Sequence, residues 1–199
     1  MSHIPAPSTP FASDDPVMKV AIAMFQRDGW IDARLLAKEA GIGRATIYRK
    51  YGDRDRILGE VVWATLLAIG EGEWGDFQGR GADGIAEAIG RSLRAVAEMP
   101  AVRRFVSEHT DTALRVMASG HGVVQQRLIA SIALLITLEI GDPPDIDAES
   151  LAYAVVRVSE SFYHRELITG DPPDFAAATV IIKRLLDYRR TFPVADQVP

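Results

Sequence analysis

The apolar residues of this chain recur three and four positions apart along almost its whole length. The first such run follows Pro16 and stops at Gly29; its members are Val17, Val20, Ala21, Met24 and Phe25. Side chains at that spacing share one face of an α-helix, whereas a half-buried strand needs strict alternation. No segment requires the alternating pattern, so we predict an all-α fold.

The same spacing predicts further helices at 33–40, 44–51, 54–69, 85–99, 102–109, 112–117, 123–140, 148–168 and 175–192. The pentapeptide Gly-Asp-Pro-Pro-Asp separates the last three, at 141–145 and 170–174. Its glycine can adopt a left-handed conformation, its prolines stop a helix, and its closing aspartate can cap the next one. We therefore predict three long antiparallel helices at the C-terminal end. The glycine-rich segment 70–84 is predicted to be a linker or an irregular wall.

The composition is that of a folded globular protein. Of 199 residues, 48% are hydrophobic and 25% are charged, and cysteine is absent. The lack of cysteine excludes disulfides and thiolate chemistry and fits a cytoplasmic location. The most apolar run, 128–138, is interrupted by Ser131 and Thr137 and is too short to span a bilayer, so no membrane partner is expected. Residues 1–15 lack the features of a secretory signal and are interpreted as a flexible N-terminal arm.

The net charge of −5 is unevenly distributed. Residues 1–56 hold nine Lys or Arg against seven Asp or Glu, whereas the remainder holds thirteen against twenty. The basic surplus is sharpest at 44–56. Because this surplus is small for a module that binds nucleic acid alone, we expect two copies of the chain to act together.

Segment 36–48 has the spacing of a helix-turn-helix. Ala37 is small where the two helices would cross, and Gly41 can supply the positive φ of the turn. Ile47 would fill the wedge between the helices. At 100° per residue, Gly43 and Tyr51 are expected on the same buried side as Ile47.

The opposite face of the third helix is small, basic and rich in hydroxyl groups. A face of this kind fits the major groove of DNA. Arg49 could reach a guanine edge or a phosphate, and Ala45 permits close approach to a thymine methyl. Thr46 and Tyr48 could bond phosphates. The predicted DNA-binding residues are Arg44, Ala45, Thr46, Tyr48, Arg49, Lys50 and Arg54, the last two as backbone clamps.

Residues 17–66 resemble the DNA-binding domain of the TetR family of regulators. The segment 37–58 carries the resemblance, including Thr46-Ile47-Tyr48, Tyr51 and the Asp53-Arg54-Asp55 start of the fourth helix. Two positions depart from the family pattern. Gly43 stands where Ser or Thr usually caps the third helix, and Gly52 replaces a common proline. The third helix is therefore expected to be less firmly capped.

The resemblance implies a homodimer that binds double-stranded operator DNA and a small-molecule effector. The last two long helices of each subunit, at about 148–168 and 175–190, would form a four-helix bundle. The corresponding division is a helix-turn-helix domain at 16–56, an effector-binding and dimerisation domain at 57–192 and a C-terminal tail at 193–199. No cofactor is implied.

A narrower resemblance, to the QsdR-type subgroup, covers the segments 160–163 and 167–174. That subgroup is associated with quorum quenching, which implies a γ-lactone or an acyl-homoserine lactone as effector. The pocket is then expected to be a largely apolar tunnel with a few polar groups at one end.

The candidate effector-binding residues are mostly aromatic. They are Trp63, Trp74, Phe77, Phe105, His109, Met117, Tyr153 and Phe162. Aromatic residues at helical spacing are more often core. His109 and His164 could bond the polar head of an effector, but an ordinary surface or core role is the more common one for such histidines. The acidic run at 142–149 lacks the order of a calcium loop and fits helix caps better.

Three classes of function remain open, with a ligand-released transcriptional repressor favoured. The alternatives are a constitutive dimeric DNA-binding protein without an effector and a helical enzyme. For the enzyme the chain offers no phosphate loop, no zinc-type histidine pair and no catalytic triad motif. Loss of DNA binding on adding a ligand separates the first class from the second.

Overall fold

The computed structural model describes residues 15–120 and 122–187, and these residues form eleven α-helices without a strand. The all-α prediction is therefore confirmed for this part of the chain. In chain order the helices are α1 (Pro16–Asp28), α2 (Ala33–Glu39), α3 (Arg44–Tyr51), α4 (Arg54–Trp74), α5 (Gly81–Glu98), α6 (Pro100–Glu108), α7 (Thr110–Ala118), α8 (Val123–Ile140), α9 (Ala148–Tyr163), α10 (Arg165–Thr169) and α11 (Phe175–Leu186).

Local capping fixes the first helices near their predicted bounds. The Asp15 carboxylate accepts from the backbone N–H groups of Val17 and Met18, and Gly29 ends α1 with φ +70°. Asp32 caps α2 in the same way. Gly43 gives α3 no side-chain cap, as predicted from its missing hydroxyl. Its predicted burial is wrong: Gly43 is exposed, because as an extended residue before the first turn it does not follow the helical rotation.

Helix α4 runs five residues beyond its predicted end and takes up part of the glycine-rich segment. Gly70 and Gly72 lie inside it, and only residues 75–80 separate it from α5. A glycine inside a helix costs up to about 1 kcal/mol relative to alanine. Burial of Trp74, which is 3% exposed, offsets that cost at the end of the helix.

The C-terminal helices differ from the prediction at two breaks. The helix predicted at 148–168 is interrupted at His164, so that α9 and the short α10 replace it. Asp174 caps α11 as predicted, but Asp147 rather than Asp145 caps α9. A cap must lie directly before the first turn, and residues 142–147 form a longer connection than expected. The predicted end of the last helix, residues 1–14 of the arm predicted at 1–15, and the tail at 193–199 lie outside the described residues.

The described helices form two compact units. The N-terminal unit comprises residues 15–69 and 95–128, and the C-terminal unit comprises residues 70–94 and 129–187. In the N-terminal unit α1 packs on α2 and α6. A Cβ atom at Gly29 would lie 2.7 Å from the Ala101 carbonyl oxygen, so glycine is required where the end of α1 approaches the backbone of α6. The functional division at residues 56 and 57 stays a prediction.

In the C-terminal unit α9 packs on α11, and α5 approaches α11 closely at Gly90. The core residues that α9 and α11 share are apolar and fully buried; they include Ala152, Val155, Ala178 and Ile182. The helical pair predicted as a dimerisation element therefore exists as a packed pair within one chain.

Among the described residues, one stretch, 110–140, has the length and apolar composition needed to cross a membrane. A core helix of a soluble protein satisfies the same two criteria, so the observation is weak. The stretch comprises α7 and α8, residues 119, 120 and 122 belong to neither helix, and α8 contains the buried, ion-paired Arg127. The described residues hold no group of three or more metal-ligating side chains, at 142–149 or elsewhere.

Candidate nucleic-acid interface

Helices α2 and α3 form the predicted helix-turn-helix. Ala37 and Ile47 are 7% and 0% exposed, so the small residue and the wedge residue both lie between packed helices. Gly41 has φ +68° in the turn, a conformation that residues with a Cβ seldom adopt. Tyr51, the last residue of α3, is also buried. The third helix is therefore held on the N-terminal unit by its Ile47 and Tyr51 side.

The opposite side of α3 faces solvent. Arg44, Ala45, Arg49 and Lys50 are exposed, and Thr46 and Tyr48 are half-buried beside them. Within the described part of the chain neither Arg44 nor Arg49 forms an ion pair. Arginine presents a planar fork of N–H donors, which suits guanine edges and phosphates. This face can therefore meet an anionic groove without first breaking ion pairs at its two arginines.

Lys50 has a partner within the chain. Its Nζ lies 2.9 Å from Asp15 Oδ2, and the Tyr51 hydroxyl donates to the same carboxylate. Burial raises the pKa of Asp15, but the hydrogen bonds from Lys50, Tyr51 and two backbone N–H groups outweigh it, and the net pKa lies below its ordinary value. Hydrogen bonds with Tyr51 and Asp15 raise the pKa of Lys50. Lys50 is thus a charged residue that would have to leave Asp15 to reach a phosphate.

Arg54, at the start of α4, also has an intramolecular neighbour. Its guanidinium lies 5.3 Å from the centre of the Trp30 ring, within the range of a cation–π contact. The Trp30 ring is also stacked on His109, at 3.8 Å between centroids, and lies 6.3 Å from the Phe105 ring. Trp30 lies between α1 and α2, and His109 lies between α6 and α7. A stacked contact therefore joins the helix-turn-helix region to the α6–α7 corner within the N-terminal unit.

A second contact reaches the start of α4 from α7. Arg115 Nε lies 3.2 Å from Asp55 Oδ2, and both side chains are largely exposed. Neither this pair nor the stack on Trp30 was predicted from the sequence. In both contacts the two residues are far apart in the chain, and such contacts cannot be predicted from the spacing of residues within one helix.

The candidate effector residues fall into both units. Trp63, Phe105, His109 and Met117 belong to the N-terminal unit, and Trp74, Phe77, Tyr153 and Phe162 belong to the C-terminal unit. Most are core residues: Trp63, Trp74, Phe77, Phe105 and Met117 are at most 8% exposed. Tyr153 is 52% exposed on α9, and Phe162 and His109 are half-buried.

Several of these side chains already have aromatic or cationic neighbours. Phe105 packs edge-on against Phe25 of α1, with 5.6 Å between ring centres. The guanidinium groups of Arg80 and Arg91 lie over the Phe77 ring at 5.0 and 4.8 Å. His164 is buried at the junction of α9 and α10, and burial lowers its pKa.

One buried ion pair was not predicted from the sequence. Arg127 of α8 binds Glu60 of α4 through two hydrogen bonds of 2.8 and 3.1 Å, and Glu60 is 2% exposed. The Arg127 guanidinium lies 5.8 Å from the centre of the Trp63 ring. Glu60 and Trp63 are three residues apart in α4, so the sequence predicts that they lie on the same helix face. It does not predict that Arg127 of α8 pairs with Glu60 there.

Comparison with known proteins gives one family and two solved structures. Residues 80–187, more than half of the chain, match the family model described as "Tetracyclin repressor-like, C-terminal domain". The transcriptional repressor QsdR of R. erythropolis, from the TetR family, is similar with a TM-score of 0.78 and 22% identity, over 86% of this chain and 92% of that one. The TetR family repressor AlkX of Dietzia sp., implicated in biodegradation of n-alkanes, has a TM-score of 0.66 and 19% identity, over 92% and 98%. At these identities the two structures support the fold alone. No curated protein matches the chain.

Proposed function

The chain belongs to the TetR family of DNA-binding transcriptional regulators, and from this premise we propose that it is a repressor released from its operator by a small, largely apolar effector. The observation that carries the proposal is the solvent-facing side of α3. There Arg44 and Arg49 are exposed without ion pairs among the described residues, above the buried Ile47 and Tyr51. Regulators of the family bind operator DNA as dimers and respond to small molecules.

For DNA recognition we propose that Arg49 contacts a guanine edge or a phosphate, while Ala45 approaches a thymine methyl group. Thr46, Tyr48 and Arg44 would bond phosphates. Lys50 and Arg54 would exchange their intramolecular neighbours, Asp15 and Trp30, for phosphates. Each exchange should cost little free energy, because Lys50 and Arg54 are already solvent-exposed and their present contacts are weak.

For dimerisation we propose the pair α9 and α11. Three large apolar side chains on it are exposed in the single chain: Tyr153 at 52%, Val180 at 59% and Ile181 at 40%. Burying them against a second copy would remove apolar surface from water. A two-fold dimer would present two α3 helices to half-sites about one DNA turn apart.

For regulation we propose a shift in the population of dimers whose α3 helices have the spacing of the operator. Helix α4 is the candidate lever, since Asp55 at its start pairs with Arg115 of α7 and Glu60 pairs with Arg127 of α8. An effector that binds among these helices would bias their arrangement. A γ-lactone or an acyl-homoserine lactone is the proposed effector class, which the resemblance of segments 160–163 and 167–174 to the QsdR-type subgroup supports.

The first experiment is a fluorescence-anisotropy titration of the protein on the DNA upstream of its own gene, at several salt concentrations. Arg49→Ala should weaken binding by about tenfold or more, because one specific arginine contact is worth about 1–3 kcal/mol. Arg94→Ala, an exposed arginine on α5, serves as the matched control and should bind like the wild type. Equal affinities of the Arg49 and Arg94 variants would show that α3 does not read this DNA.

The second step adds γ-lactones and acyl-homoserine lactones of increasing chain length to the preformed complex. Release by one chain-length class is expected of a ligand-responsive repressor. DNA binding that no member of the panel alters would favour a constitutive DNA-binding dimer.

A further inference from the structure

The ion pair between Glu60 and Arg127 is one of the few charged groups inside the N-terminal unit. Arg127 Nη1 donates to Glu60 Oε2 and Nη2 donates to Oε1, so the ion pair is bidentate. The residues are 2% and 9% exposed. This geometry occupies two of the five N–H donors of the guanidinium and leaves the pair with no net charge.

Beside this pair, the indole N–H of Trp63 is buried without a hydrogen-bond acceptor among the described residues. Trp63 is 2% exposed, and its ring lies 5.8 Å from the Arg127 guanidinium carbon. Buried N–H groups are nearly always bonded, because leaving one unpaired forfeits its hydration without replacement. An unpaired donor next to an arginine in an apolar interior is therefore a place where a hydrogen-bond acceptor from outside the chain would be stabilised.

A second buried polar residue of α8, Gln125, lies two positions before Arg127 in the chain and is bonded elsewhere. The Gln125 amide donates to the carbonyl oxygen of Met117, and Gln125 is fully buried. The unpaired group beside the ion pair is the Trp63 indole N–H, a donor, which selects an acceptor. A second anion close to the Glu60 carboxylate would be repelled strongly in this poorly screened interior. A neutral carbonyl oxygen meets both requirements.

We propose that Trp63, Arg127 and Glu60 form the head-group site for an effector with a neutral carbonyl oxygen, such as a lactone, ester or amide, and that the site discriminates against carboxylates. Trp63 donates its indole N–H to the carbonyl, Arg127 supplies positive potential beside it, and Glu60 excludes anions. The inference rests on the proposed effector-responsive function and adds the chemical class of the head group. Through Glu60 and Trp63 the bound carbonyl would act on α4 directly.

The direct test is nuclear magnetic resonance of the indole N–H groups in ¹⁵N-labelled full-length protein. The chain has three tryptophans, and the Trp63→Phe variant identifies the Trp63 signal by its loss. The probes are γ-decanolactone, methyl decanoate, the ring-opened 4-hydroxydecanoate and the carbonyl-free ether 2-hexyltetrahydrofuran, each with shorter and longer homologues. We expect a saturable downfield shift of the Trp63 signal with the lactone or the ester, and none with the carboxylate or the ether.

Binding constants of the variants, measured by calorimetry, provide the second readout. Trp63→Phe should weaken binding of the carbonyl probes about tenfold, the equivalent of one hydrogen bond. Trp30→Phe, at a tryptophan outside the candidate effector residues, is the control and should leave probe binding unchanged. Glu60→Gln should narrow the preference for the lactone over its ring-opened acid by about tenfold, because it removes the repelling charge. If Glu60→Gln does not fold, the wild-type indole experiment still decides.

The inference is overturned if no neutral carbonyl probe binds, if a bound probe leaves the Trp63 signal unmoved, or if the carboxylate shifts it as strongly as the lactone. These outcomes are independent of DNA. A protein whose Trp63 signal responds but which ignores operator DNA would contradict the proposed repressor function instead, and a protein that binds operator without a Trp63 response would contradict only the head-group site.

Discussion

The hydroxyl group of Tyr51 donates a hydrogen bond of 2.8 Å to the carboxylate of Asp15, which joins the last residue of α3 to the N-cap of α1. The same carboxylate accepts from Lys50 and from two backbone N–H groups. One acidic residue before the first helix therefore holds the end of the helix proposed to read DNA.

Replacing Asp15 with alanine should lower the free energy of unfolding by about 2–4 kcal/mol. The change removes the cap of α1 and leaves the buried Tyr51 hydroxyl without its acceptor. Asp15→Asn keeps an oxygen at the cap and should cost less. Urea denaturation of both variants measures the difference, and an alanine variant as stable as the asparagine variant would contradict the bridging role of the carboxylate.

The same residue predicts a change in DNA binding. Asp15→Asn removes the charge that holds Lys50, so Lys50 becomes available to a phosphate. We expect tighter operator binding and a steeper dependence on salt, by about one phosphate contact. The control is Asp15→Asn combined with Lys50→Gln, in which the steeper salt dependence should be absent.

Replacing Arg127 with methionine should destabilise the protein by about 3–5 kcal/mol, because Glu60 would be left buried without its cation. Glu60→Leu should destabilise the protein by a similar amount, because Arg127 would be left buried without its anion. The double variant should recover most of the loss, since two apolar groups need no partner. Arg115→Met breaks the exposed pair with Asp55 and is the control, with an expected loss of at most about 1 kcal/mol. Urea denaturation measures all four variants. A loss in the double variant equal to the sum of the two single losses would contradict the pairing of Glu60 with Arg127.

The elements of this fold are predictable where their causes are local. Asp32 and Asp174 accept from N–H groups two or three residues ahead, so the caps of α2 and α11 are visible in the sequence. The end of α4 is not, because the burial of Trp74 decides it. The Glu60–Arg127 pair joins residues 67 positions apart, and no pattern along the chain connects them.

The candidate DNA-binding face follows the same rule. Its exposed and buried sides could be predicted, since one helical rotation fixes the positions of Ile47, Tyr51 and Arg49 relative to one another. That Lys50 is paired with Asp15 and that Arg54 lies over Trp30 depends on packing with other helices, which sequence spacing does not describe.

Two glycines inside helices are expected to respond oppositely to alanine. A methyl group at Gly90 of α5 would overlap the hydroxyl group of Thr179 of α11, so Gly90→Ala should destabilise the protein by about 1–3 kcal/mol. Gly72 of α4 has open space around it, and Gly72→Ala should stabilise the protein by up to about 1 kcal/mol. Thermal unfolding compares the two variants. Adding Thr179→Ala to Gly90→Ala should restore part of the loss, and a Gly90 variant as stable as the wild type would show that α5 and α11 can separate without cost.

The buried His164 predicts how stability depends on pH. Burial lowers the pKa of His164 below the ordinary value of 6.5, so the unfolded chain binds a proton at a pH where the folded chain does not. The contribution of this residue to stability is therefore fully present above pH 6.5, and it is lost as the pH falls below that value. The loss is at most about 1.4 kcal/mol per pH unit for one proton. Urea denaturation of the wild type and of His164→Gln at pH 8 gives the packing cost of the substitution, and the same measurement at pH 5.5 gives the proton-linked part. We expect the difference between the two proteins to shrink or reverse at the lower pH, because glutamine does not titrate; a difference that stays constant would mean that His164 can be protonated without unfolding its surroundings.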